Sequence, residues 1–149
     1  IGIGIVFQNC SNHKNEKVME NNRVTWFSIP SDDLEKSKKF YADAFGWKAE
    51  PLTKEEDSDF DFYTVLNSEN YVSKERGVLN GCIVKRKIGL PTPAVLVEVD
   101  DLDTAIENVK NAGGEIVTEK ITMKSLNGIF VLIKDIDENY VEVFQQFKN

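Results

Sequence analysis

Two stretches, DDLEKSKKFYADAFGW at residues 32–47 and DDLDTAIENVKNAGGE at residues 100–115, decide how this chain folds. Each opens on acidic residues suited to a helix N-cap and first turn, where a carboxylate accepts from free backbone N–H groups and meets the positive end of the helix dipole. Each closes on glycine, which enters the left-handed conformation at a helix stop without strain. In the first stretch Ser31 or Asp32 supplies the cap, Leu34, Ser37, Tyr41, Ala44 and Phe45 share one helical face, and Gly46 ends a helix of about four turns. In the second, Leu102, Ala105, Ile106, Val109 and Ala112 share the buried side. An offset of 68 residues carries Leu34 onto Leu102, Ser37 onto Ala105, Tyr41 onto Val109, Ala44 onto Ala112 and Gly46 onto Gly114. The buried positions coincide, so the chain states one helical unit twice.

Working outward, each helix is preceded by one strand-like run and followed by three. RVTWFSI, at 23–29, alternates in the period of a strand and is ended by Pro30; 47–52, 60–67 and 81–87 follow the first helix. KIGLPTP at 87–93 reads as a linker, after which 94–99 precedes the second helix and 115–121, 128–134 and 140–145 follow it. A four-stranded sheet with one helix leaves its second face bare, and pairing two such units encloses it. The expectation is an α+β fold of two tandem βαβββ modules, 23–87 and 94–147, forming curved mixed sheets around a cavity in one domain, 23–149. Residues 8–22 are almost wholly polar and cannot bury enough surface to order alone, so 1–22 is read as an N-terminal arm.

Composition narrows the partners. At 149 residues and 41% hydrophobic, the chain can bury a core. A net charge of −7 repels phosphate backbones, which excludes nucleic acid and favours a cationic ligand over an anionic one. No apolar run approaches the roughly 20 residues that cross a bilayer, so no membrane partner and a cytoplasmic setting are expected. Cys10 and Cys82 have no CxxC spacing and read as free thiols, with Cys82 packed in a strand.

Period-two alternation then sorts the strands into faces. Val95, Val97 and Val99 lie under the second helix and Phe27 and Ile29 under the first; Trp26, Ser28, Ala94, Leu96 and Glu98 look the other way. In the last strand Tyr140, Glu142 and Phe144 oppose Val141, Val143 and Gln145. Glu98 and Glu142 are carboxylates among apolar neighbours. A buried carboxylate needs water, a cation or a partner, whereas a solvated outer face would need none. Bulky Trp26 and Phe144 on the same face favour a lined cavity.

The doubled pattern, carried by WFSIPSDDLEKSKKFYADAFGWK, VEVDDLDTAIENVKNAGGEIV and FVLIKDIDENYVEVF, resembles the vicinal oxygen chelate superfamily of glyoxalases, bleomycin-resistance proteins and extradiol dioxygenases. FYADAFGW and the DIDEN turn are its most specific parts. The resemblance implies four metal-ligand positions on the open faces, falling on Trp26, Ala94, Glu142 and a position near Cys82. Of these Glu142 alone has a clear ligand side chain, and the single histidine, His13, lies in the arm. No metal and no cofactor is therefore expected, with a hard-ion site on Glu98 and Glu142 as the minor alternative.

Three functions compete. The leading one is a metal-free small-molecule binder, resembling proteins that sequester a drug, with Trp26, Ser28, Tyr63, Leu96, Glu98, Tyr140, Glu142 and Phe144 lining the site and a cationic group on the carboxylates. The second is a metal-dependent or acid/base lyase, isomerase or epimerase in which Glu142 is the catalytic base. The third is an interaction module whose cavity Trp26 has filled. A homodimer is what the resemblance implies.

Overall fold

A computed structural model describes residues 22–51, 62–65, 77–86 and 89–148. The chain runs β1 (Arg23–Ser31), α1 (Leu34–Phe45), β2 (Ala49–Pro51), β3 (Phe62–Val65), β4 (Asn80–Lys85), β5 (Ala94–Glu98), α2 (Leu102–Asn111), β6 (Glu115–Ile116), β7 (Ile121–Met123), β8 (Gly128–Lys134) and β9 (Tyr140–Gln146). These strands form one mixed sheet in the order β2-β3-β4-β1-β5-β9-β8-β6, with β7 also paired to β8. The α+β architecture of two βαβββ units stands. The residues read as an arm, 1–22, fall outside the described residues apart from Asn22.

The repeat is visible in the sheet as well as in the helices. β1 and β5 pair antiparallel, and Phe27 sits opposite Val95, its own equivalent at the 68-residue offset. A pseudo-dyad therefore passes between these two residues, exchanging Trp26 with Ala94 and Ser28 with Leu96, so that the Trp26–Leu96 pair maps onto the Ser28–Ala94 pair. The helix caps agree at one end: Asp33 Oδ1 accepts from Lys36 N at 3.1 Å and Asp101 Oδ1 from Thr104 N at 2.6 Å. At the other end the register slips by one, because the left-handed residue after α2 is Gly113 (φ 91°), whereas α1 stops at Gly46 (φ 68°). Gly114 instead lets the chain pass close, since a Cβ there would lie 2.8 Å from the Lys134 carbonyl oxygen.

Several local expectations are corrected. The cap of α1 is Asp33, with Ser31 Oγ accepting from Asp33 N and hydrogen-bonding Ser37, because Ser31 still belongs to the strand. Pro30 does not end β1: it pairs in register with Val84, at a point where β5 has already ended and a proline removes no second-neighbour bond. The run 115–121 is two short strands separated by an irregular segment, so Met123 and the following 3-10 turn Lys124–Leu126 are brought to the open face. Phe45 and Ala44 are exposed, Phe45 at 63%, as the short β2 leaves the end of α1 uncovered.

The core is unequal across the dyad. α2 buries Leu102 and Ala105 against Val99, Val131, Ile133 and Val143, and Gln145 Oε1 accepts from Leu102 N at 2.8 Å. No residue of α1 is fully buried; Leu34, Tyr41 and Trp47 pack partly buried on Ala49, Val65 and Ile83. α1 touches β3 and β4 and α2 touches β6, β8 and β9, so the central pair is least covered and Val95 is 42% exposed at the seam. No helix among the described residues is long and apolar enough to cross a membrane.

Candidate functional site

On the sheet face opposite the helices, a third apolar cluster surrounds a cavity. Trp26 and Ser28 reach it from β1, Cys82 and Val84 from β4, and Leu96 from β5. Glu142 and Phe144 enter from β9, Phe130 from β8, and Met123 and Leu126 close the side. The parallel pairings explain why three polar groups meet there. Ser28 lies beside Cys82 in β1/β4 and Leu96 beside Glu142 in β5/β9, so Cys82 and Glu142 occupy equivalent positions about the dyad.

The cavity interior is about 40 Å³, room for a few waters, within a wider concavity of about 480 Å³ that includes open solvent. Its polar chemistry is ordered. Ser28 Oγ donates to Glu142 Oε2 at 2.6 Å, and Cys82 Sγ lies 3.4 Å from Ser28 Oγ. A serine hydroxyl has one proton, so with that proton on Glu142 it is the thiol that donates to Ser28. The Trp26 indole, whose N–H can only donate, lines the same wall and acts to lower the thiol's pKa. Donors thus run from Cys82 to Ser28 and end on Glu142. Among the described residues, Glu142 Oε1 receives no side-chain hydrogen bond.

Burial acts on both ionisable groups of the wall. Glu142 is 6% exposed, and loss of solvation pushes its carboxyl up from 4.5 to about 7, with the Ser28 hydrogen bond pulling the other way. Cys82 is pushed up to about 12, first by burial and then by the Glu142 charge, so the thiol stays protonated. This is a cavity holding one carboxylate near neutrality and no competing charge among its described lining groups.

Of the residues expected from sequence, Trp26, Ser28, Leu96, Glu142 and Phe144 come together at this wall. Tyr140 packs against the same cluster one pleat away, with Lys134 Nζ 5.5 Å from its ring centroid, but does not line the cavity. Glu98 is also one pleat beyond the wall: it is half-buried, in register with Arg23 and Phe144, because β5 carries it past Leu96 toward the start of β1. Tyr63 is paired with Ile83 in register, and its side chain lies outside the described residues. Cys82, Val84, Met123, Leu126 and Phe130 were not assigned to the site from sequence. Alternation within β4 and β8 carries the signal for Cys82, Val84 and Phe130; nothing comparable marks Met123 and Leu126.

Three of the positions that the resemblance assigns to a metal hold Trp26, Ala94 and Glu142, and the fourth lies near Cys82, which is the side chain that the structure places at this wall. An indole N–H and a methyl group offer no lone pair, and a protonated thiol is a poor ligand, which leaves one carboxylate. No group of three or more His, Cys, Asp and Glu that could hold a metal occurs among the described residues. These residues do not fit a divalent-metal centre.

Gly128 shapes the wall without lining it. A Cβ there would lie 2.2 Å from Phe144 Cζ, so the ring rests directly on the glycine backbone. Gly128→Ala is expected to displace Phe144 toward the cavity and cost about 1–3 kcal/mol by overpacking. Urea unfolding and the Phe144 ring shifts in NMR spectra check this; an unmoved ring with unchanged stability contradicts it.

Comparisons with known proteins follow the same line. The family description "Bleomycin resistance protein-like N-terminal" matches residues 23–60. A probable lactoylglutathione lyase of Vibrio parahaemolyticus is 24% identical over 132 residues, 85% of this chain and 93% of that protein. Among solved structures, a variant of Streptomyces coelicolor methylmalonyl-CoA epimerase in complex with 2-nitronate-propionyl-CoA superposes with a TM-score of 0.59. It is 12% identical and the match covers 86% of this chain and 99% of that one. Methylmalonyl-CoA epimerase from Mycobacterium tuberculosis gives 0.57 at 13% identity, over 83% and 87% of the two chains.

Proposed function

We propose that this chain, a glyoxalase and bleomycin-resistance-like member of the vicinal oxygen chelate superfamily, binds a small, mostly apolar molecule through a basic nitrogen held by Glu142. The observation that carries the proposal is the free acceptor at the end of a committed donor chain: in an otherwise apolar wall, Ser28 has given its proton to Glu142 Oε2 and Oε1 receives no side-chain hydrogen bond among the described residues. A buried carboxylate in that position is stabilised by a cation. The aromatic rings of Trp26, Phe130 and Phe144 supply apolar area and cation-π attraction for it.

A thermal-shift screen at pH 8 tests the proposal with apolar amines, their uncharged hydroxyl isosteres and matching carboxylates. Amines are expected to raise Tm, and Glu142→Gln to remove the effect. Equal response to neutral or anionic compounds, or no response to any amine, would overturn it. The homodimer and the cytoplasmic setting expected from sequence belong to the same proposal; a single-chain mass by analytical ultracentrifugation would remove the dimer.

The likeness to a probable lyase and to epimerases, with a carboxyl raised to about 7, favours one second reading: Glu142 as general base on a carbon acid. That chemistry also needs a donor for the developing oxyanion, and the Ser28 hydroxyl and Cys82 thiol of the described wall are already engaged. Protein-dependent deuterium exchange next to a carbonyl, lost in Glu142→Gln, would establish this second reading in place of the first.

A further inference from the structure

The cavity's hydrogen-bond inventory narrows the kind of cation it can hold. Its polar groups offer one unengaged oxygen, Glu142 Oε1, because Oε2 already accepts from Ser28. Ser28 Oγ and Cys82 Sγ stand in the chain of donors that ends on the carboxylate. Around that oxygen the wall is hydrocarbon, aromatic ring and thioether: Trp26, Leu96, Met123, Phe130 and Phe144.

We infer that the cavity selects a tertiary ammonium, one N–H surrounded by alkyl groups, over primary ammonium and guanidinium ions of similar size. This rests on the cation-binding reading above and adds the head group to it. A primary ammonium carries three N–H donors and a guanidinium five. Even with two N–H groups on the carboxylate, either leaves at least one donor against ring faces, hydrocarbon and a thioether that accepts only weakly, and each such donor weakens binding about tenfold. A tertiary ammonium spends its single N–H on Oε1 and turns its alkyl groups to the rings, where cation-π attraction operates. A quaternary ion meets the charge but gives Oε1 no hydrogen bond, which places it between the two. The small interior, about 40 Å³, restricts the head to short alkyl groups.

Titration of the 15N-labelled full chain with methylammonium, dimethylammonium, trimethylammonium and tetramethylammonium ions at pH 8 tests the ranking. The chain has two tryptophans. The Trp26 indole resonance reports the cavity, while Trp47, stacked on Tyr41 at 5.0 Å within the cluster under α1, serves as internal control. Trimethylammonium is expected to bind about tenfold or more tighter than methylammonium. Glu142→Gln is expected to weaken the trimethylammonium response while leaving the Trp47 resonance in place, which shows that the variant folds. Methylammonium binding as tightly as trimethylammonium would overturn the inference and leave the cation-binding reading standing. A Trp26 resonance that no ion moves would overturn both.

Discussion

Glu142→Gln is expected to make the protein more stable at pH 8 and to leave it nearly unchanged at pH 4.5. The carboxyl's folded pKa of about 7 lies above its ordinary 4.5, so the folded chain retains a proton that the unfolded chain releases between those values. The stability tied to that proton is fully present below 4.5 and lost as the pH rises through 7. The shift corresponds to about 3 kcal/mol of penalty carried by the charged form in the ligand-free protein at pH 8. An amide keeps a hydrogen-bonding partner for Ser28 without the charge, and so removes most of this penalty. Chemical denaturation of both proteins from pH 4.5 to 8 reads the difference directly. Wild type and variant with parallel pH profiles would show that Glu142 is not the group responsible. Asp33 and Asp135, whose carboxyls are held below the usual range by hydrogen bonds from Lys36 and Asn139, contribute equally to both and cancel.

The second large effect concerns the repeat. Leu34 and Leu102 are equivalent by sequence, yet their truncations are expected to differ. Leu102 is 2% exposed at the centre of the α2 cluster, and Leu102→Ala should cost roughly 2–5 kcal/mol, because a cavity remains where the side chain was. Leu34 is half-buried on a smaller cluster, so Leu34→Ala removes less burial and its neighbours have room to settle. Equal destabilisation of the two variants in urea would contradict the unequal core described above. The asymmetry places the stabilising packing in the second module and leaves the first with its exposed aromatic residues, Phe40 and Phe45.

Much of the fold was legible in the sequence because it rests on periodicity. The two Asp-Asp-Leu starts located the first residue of each helix to within two residues, and alternation in 94–99 and 140–145 separated Val97, Val99, Val141 and Val143 from the open face, whereas Val95 and Ala112, read as buried under α2, are exposed. What it could not resolve depended on chain pairing across long separations. The equivalence of Cys82 and Glu142 follows from which residues stand beside Ser28 and Leu96, a relation that no local pattern carries. Glu98 and Tyr140 share the open face yet miss the wall, because alternation fixes the face and leaves the position along the strand open. Met123 and Leu126 arrive through a break between two short strands, where the sequence reads as one continuous run only as far as Ile121.

The pattern of cavity groups gives a reason for the departure from a metal centre. Trp26 and Ala94 stand where the resemblance would place ligands, and Cys82 stands across the dyad from Glu142. One carboxylate then remains, and its solvation must come from something that enters the cavity. The cation proposed above is one such complement.

The most direct test of that claim is the pH dependence of trimethylammonium affinity, followed at the Trp26 indole resonance from pH 6 to pH 8, where this ion remains charged. Cys82, the other titratable lining group among the described residues, does not ionise in this range, so Glu142 alone at the wall changes state. With its carboxyl at about 7, affinity is expected to rise about tenfold across the interval and to be weak and flat in Glu142→Gln. Affinity in the wild type that stays constant, or falls as the pH rises, would contradict a cation held by Glu142.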